Sequence, residues 1–273
     1  MEPASRGESL LPPLAPRPES QCPQATGQTR SHRGGKSAFA DARNGVAHRR
    51  SSLTSIPSRY ARSMFLDAPR GLRDPDVLAD RNAMLGTAKE TLPLEAWARE
   101  VEERRRALQP GIVIPHFDPA ESGVAARALL LLEAPGPKTV PEWGGSGFIS
   151  VDNDDPTAQN VWTTRNDVGL HDHALAWNIV PWVLGRASVK PSSAELAQGA
   201  VELRGLLNVL PNLRVIVLAG QKAQQAWDAH LDLIIGDQYR VIRTVHPAGQ
   251  SFAQPGAKER FVAALRKTAE LVA

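Results

Sequence analysis

Four residues able to do chemistry stand at the ends of the apolar segments of the chain, within them or between them. Glu133 ends the run Ala128-Leu-Leu-Leu-Leu132 and precedes Ala134-Pro135-Gly136. Asn178 lies within the second apolar segment, Ala174–Val180, and His246 follows Tyr239–Val245. Phe148 sits in a glycine-rich stretch between the first two. A carboxylate orients a water or stabilises a cationic sugar. A carboxamide both donates and accepts, so it can pair with the imide edge of a base. An imidazole can hold negative charge developing on a carbonyl oxygen of a leaving group, and a phenyl ring offers a stacking platform. Together these groups describe hydrolysis of an N-glycosidic bond, with the base departing as an anion.

Periodicity shows which strands and helices carry these residues. Strand-length segments at 127–132, 174–180, 215–218 and 239–245, with unbroken apolar runs in the first and third, alternate with helical patterns, the signature of a parallel sheet covered on both faces. The helices are expected after Asp155-Pro156, from the Ser192…Glu195 capping box, over Gln221–Leu231 and over Ala257–Val272. Two further helices precede the sheet, one after Asp74-Pro75 and one after Pro93. The expected architecture is a three-layer α/β/α domain with a central four-stranded parallel sheet over residues 74–273. Residues 1–73 read as a disordered basic segment rich in Pro, Ser and Arg. In a parallel sheet all carboxyl ends share one edge, which brings Glu133, Asn178, the Ala219-Gly220-Gln221 turn and His246 to a single cleft.

Each of these residues also has a purely structural reading. Glu133 can cap a helix or pair with Lys138, Asn178 can shape the turn before Pro181, His246 can simply end a strand, and Phe148 can anchor a lid. Other features carry less. Gly144-Gly-Ser146-Gly-Phe148 is not a nucleophile elbow. Asp152-Asn-Asp-Asp155 lacks the glycine and distal glutamate of a calcium loop, and His171-Asp-His173 is only a two-ligand fragment. No dinucleotide or Walker motif is present.

The net charge of +3 and a pI near 9.2 permit a polyanionic partner without requiring one. One cysteine, Cys22, supplies neither a disulfide nor a thiolate cluster, which suits a reducing, cytoplasmic setting. No signal peptide or membrane span is expected.

At these residues the chain resembles the uracil-DNA glycosylase superfamily. Glu133-Ala134-Pro135-Gly136 matches its first motif, Phe148 its stacking aromatic, Trp177-Asn178-Ile-Val180 its base-reading asparagine, and His246-Pro247-Ala248 its third motif. The likeness covers about residues 112–273. It implies that Glu133 activates water, that Asn178 binds the uracil edge and that His246 stabilises the departing O2. Ala134, Pro135, Gly136 and Phe148 would line the substrate, and the loop Pro247-Ala248-Gly249-Gln250-Ser251 would enter the minor groove and help hold the nucleotide extruded. The chain departs from the family at two points. Leu132 stands where glycine usually precedes the motif, and the four cysteines that hold an iron–sulfur cluster in glutamate-bearing branches are missing. The implied protein is a monomeric, monofunctional DNA glycosylase without metal or cofactor. It would act on DNA containing uracil or another deaminated base, away from membranes, in the cytoplasm and on the nucleoid. A non-catalytic nucleic-acid-binding protein and a nucleoside hydrolase remain as alternatives.

Overall fold

The computed structural model describes residues 65–187 and 189–273. The disordered reading of the amino-terminal segment, and Cys22 with it, falls outside these residues as far as position 64. The described chain is engaged earlier than the expected start at Asp74. Leu72 is buried, its amide donates to the Asp152 carbonyl (3.1 Å), and Phe65 stacks on His171 at 4.4 Å.

Local chemistry sets most boundaries. Asp74 accepts the Asp76 amide (2.9 Å) and Pro75 occupies the first turn, which starts α1 (Pro75–Ala83). The second helix, α2 (Leu92–Arg106), buries Leu94, Trp97 and Val101. Asp155 caps α3 (Pro156–Val168) through the Thr157 and Ala158 amides, and Gly169 at φ 68° stops it. Both halves of the Ser192/Glu195 capping box are formed at the head of α4 (Ser193–Asn208). The remaining helices are α5 (Gln221–His230), α6 (Asp232–Ile235), α7 (Gly249–Phe252) and α8 (Ala257–Val272).

The central sheet holds β2 (Ala128–Leu132), β4 (Ala174–Asn178), β5 (Val215–Ala219) and β6 (Arg240–Thr244). All pairings are parallel, in the order β4-β2-β5-β6. Alternation sends Leu129, Leu131, Leu175, Trp177, Ile216 and Leu218 to one face, where α2, α4 and α5 pack. Ala128, Leu130, Ala176, Val217 and Ala219 go to the other, under α3 and α8. The expected three-layer α/β/α fold is therefore the observed one.

An added feature was not anticipated. His116-Phe117 (β1) and Phe148-Ile149 (β3) form a second, two-stranded parallel ladder, although both stretches read as loop in the sequence. It is fastened to the main sheet by Phe117, whose ring stacks on Trp177 at 3.6 Å and 8°. Glu95 of α2 holds its other side, accepting the Phe117 amide and pairing with His116 Nδ1, both at 2.8 Å.

The outer edge of β4 is covered rather than open. The buried Glu121 carboxylate accepts the Ala176 amide (2.6 Å), and Arg165 donates to the Ala174 carbonyl (3.2 Å). The two side chains are paired at 2.7 Å. They take the place of a neighbouring strand, which accounts for a fully buried ion pair at a sheet edge.

Candidate active site

Strand order reverses at β2: the chain crosses from it to β4 on one side and returns to β5 on the other. The crevice at such a switch point is where open α/β sheets hold ligands, and Glu133 is the residue that leaves it. Leu132 is in register with Asn178. Pairing continues past the strand ends, with the Ile179 amide on the Leu132 carbonyl (2.9 Å) and the Val180 amide on the Glu133 carbonyl (3.1 Å). Glu133 and Asn178 thus sit on adjacent strand ends with their backbones locked together.

Asn178 continues the face of β4 that packs toward α3 and α8. It is 5% exposed, and among the described residues no hydrogen bond occupies its carboxamide. Donor and acceptor are both free to read a ligand edge.

His246 arrives two residues after β6 and lies against Gly220, the residue after β5. A Cβ on Gly220 would come within 2.8 Å of His246 Cβ and 3.1 Å of Cδ2. Nδ1 accepts the Ala248 amide (3.2 Å), which assigns the proton of the neutral ring to Nε2. Burial holds the imidazole below its ordinary range. The Glu133 carboxylate pulls the other way, and the Lys190 ammonium adds to the depression. The ring therefore stays neutral and offers Nε2–H as a donor, within the field of both charged groups.

The partner of Glu133 is Lys190, at 2.9 Å. Lys138, the alternative the sequence suggested, lies instead 4.0 Å from Asp154. Lys190 comes from the loop between β4 and α4, 57 residues from Glu133, and no spacing in the sequence marks it. Asn160 of α3 is a second unforeseen contributor: its Nδ2 donates to the Pro247 carbonyl (2.7 Å) and ties the segment after His246 to the helix layer.

Phe148 differs from expectation. Read in the sequence as a stacking platform, it is fully buried, because β3 is clamped on the small ladder and not on the main rim. Its carbonyl accepts Asn153 Nδ2 (2.9 Å), and its ring lies 6.1 Å from that of His116. It joins neither of the two apolar clusters.

The flanking motif residues divide similarly. Ala134 is half-buried and Pro135 buried, while Gly136 caps the 3₁₀ turn at Pro137–Thr139. Pro247 is buried and Ala248 half-buried. Gly249, Gln250 and Ser251, expected as loop, form the first turn of α7. Gly136 has φ −86°, and a Cβ there would meet nothing within 4 Å; the same open space surrounds Gly249. Neither position needs glycine for the free fold.

The donor set does not fit a cluster held by four thiolates, because the chain has one cysteine. No helix among the described residues is long and apolar enough to cross a membrane.

Residues 124–269, more than half of the chain, match the family described as the Uracil DNA glycosylase superfamily. No curated protein matches the chain.

Proposed function

The chain belongs to the uracil DNA glycosylase superfamily, and from that premise we propose that it hydrolyses the N-glycosidic bond of uracil, or of a related deaminated base, in DNA. The observation that supports this reading is that Glu133 and Asn178 leave adjacent strand ends at the switch point of the sheet, with His246, from the end of β6, near enough to feel the Glu133 charge.

The steps follow from the groups. Asn178 pairs with the imide edge of the base through its free carboxamide. His246 stays neutral and directs Nε2–H at the carbonyl oxygen where charge collects as the base leaves; a preset donor of this kind is worth about 10²–10³ in rate. Glu133 orients the attacking water and stabilises the cationic sugar. The turn at Gly249–Ser251 meets the nucleic-acid backbone, and the unneeded glycines at 136 and 249 leave room for close approach of substrate to main chain. Asn178 is covered in the free protein, so the base reaches its carboxamide only when the rim opens around it. A monomer without metal or cofactor suffices for these roles.

The test is release of free base from a uracil-containing oligonucleotide, read as an alkali-labile site. Wild-type protein should produce it, and Asn178→Ala or His246→Ala should slow it by about 10²-fold or more. Wild-type rates in both variants would remove the site assignment. DNA binding without base release would favour a binding protein on the same scaffold.

A further inference from the structure

Glu133 is the group that must face the water, yet in the free protein it is engaged by an ammonium. Its side chain is 14% exposed, whereas that of Lys190 is 69% exposed. The anchor beneath Lys190 is firm: the next residue, Pro191, is buried and its carbonyl accepts Lys222 Nζ (3.0 Å), and Ser192 then caps α4. What remains mobile is a four-carbon stem carrying three donors, of which Glu133 uses one.

We propose that Lys190 is a substrate-operated latch. It holds the Glu133 carboxylate while the site is empty and moves to a backbone phosphate when a nucleotide enters, releasing Glu133 to the water. This rests on the glycosylase reading above. Three observations support it. The cation of the pair is largely solvated, so passing from one anion to another costs the ammonium little desolvation. In the proposed complex the ammonium would stand one carboxylate away from the reacting carbon, since the water must approach both Glu133 and that carbon to within about 3–3.5 Å. A phosphate flanking the bound sugar then comes within reach of the same side chain. Finally, the other charged or titratable groups near the pair are few. His246 faces it from the end of β6, and Lys222 of α5 is already committed to Pro191. Glu195, the next carboxylate along the chain from Lys190, is taken up by the Ser192 amide and hydroxyl, so it does not compete with phosphate once Glu133 turns to water.

The test is binding of the full chain to a uracil-containing oligonucleotide whose 2′-fluorinated sugar resists cleavage, measured over a range of salt. Lys190→Gln should make the negative slope of log affinity against log salt shallower by about 0.7–0.9, the value of one phosphate contact, and Lys190→Arg should keep it. Glu133→Gln should tighten binding severalfold where Lys190 is present and not in the Lys190→Gln background. An unchanged slope in Lys190→Gln, or the same Glu133→Gln effect in both backgrounds, overturns the latch. If wild-type protein still releases uracil in that case, the glycosylase reading stands alone; if it neither binds the DNA nor releases base, both fall.

Discussion

Gly220 and His246 touch so closely that the glycine has no space for a side chain: an added Cβ would lie 2.8 Å from His246 Cβ. Gly220 also has φ 98°, where other residues are strained. It serves as a cradle that sets the height of the imidazole above the sheet. Gly220→Ala should therefore push the ring off its line to the leaving group. We expect a loss of about 10- to 100-fold in turnover with far smaller change in DNA affinity, measured by single-turnover base release alongside binding titrations.

The pH profile should carry the signature of a neutral histidine. Burial lowers the His246 pKa, so the ring stays neutral below 6.5 and becomes charged only as pH falls through the depressed value. The acid limb of kcat/KM, which reports the free enzyme, is expected below pH 6.5. Lys190→Gln removes a group that lowers this pKa and should move the limb to higher pH. A limb that stays in place would show that His246 does not govern it.

The Arg165–Glu121 pair closes the edge of β4 beneath Asn178. Arg165→Met leaves a buried carboxylate without its cation and should cost about 3–5 kcal/mol in urea unfolding. Burial already pushes Glu121 up to about 7 against the pull of Arg165. A raised acid is protonated when folded and ionised when unfolded between its two pKa values, so its contribution to stability is present at low pH and lost as pH rises toward 7. The deficit of Arg165→Met should accordingly be larger at pH 8 than at pH 5.

His171 stacks on Phe65, and neither of its ring nitrogens has a hydrogen-bond partner among the described residues. Burial is the main reason its pKa falls to about 4, with Arg165 adding to the effect. The unfolded chain takes up the proton near 6.5, the folded one only near 4, so stability drains away as pH falls across that window. The loss should be on the order of 2–3 kcal/mol by pH 4. His171→Leu should flatten this part of the stability curve, as followed by thermal unfolding between pH 4 and 7.

Much of the fold was legible because its signals are local. Four segments of strand length, the caps at Asp74, Asp155 and Ser192, and the stop at Gly169 act within a few residues of where they stand. Phe148 was read in its motif but not in its setting, since two residues of strand carry no periodicity of their own. The ladder is held by distant contacts, the Phe117–Trp177 stack on one side and Glu95 on the other.

The amino-acid sequence by itself determined that the strands run parallel, that Glu133, Asn178 and His246 come from their carboxyl ends, and that the intervening helices cover both faces. Periodicity and capping are properties of neighbouring residues, so no distant contact was needed. Only the tertiary structure decided that β2 lies between β4 and β5, which puts Glu133 at the reversal of strand order. It also decided that Lys190 and not Lys138 engages that carboxylate, and that Gly220 supports the imidazole. Strand order and side-chain partnership depend on how whole layers pack, and residues 57 positions apart meet only once the chain has closed around its core.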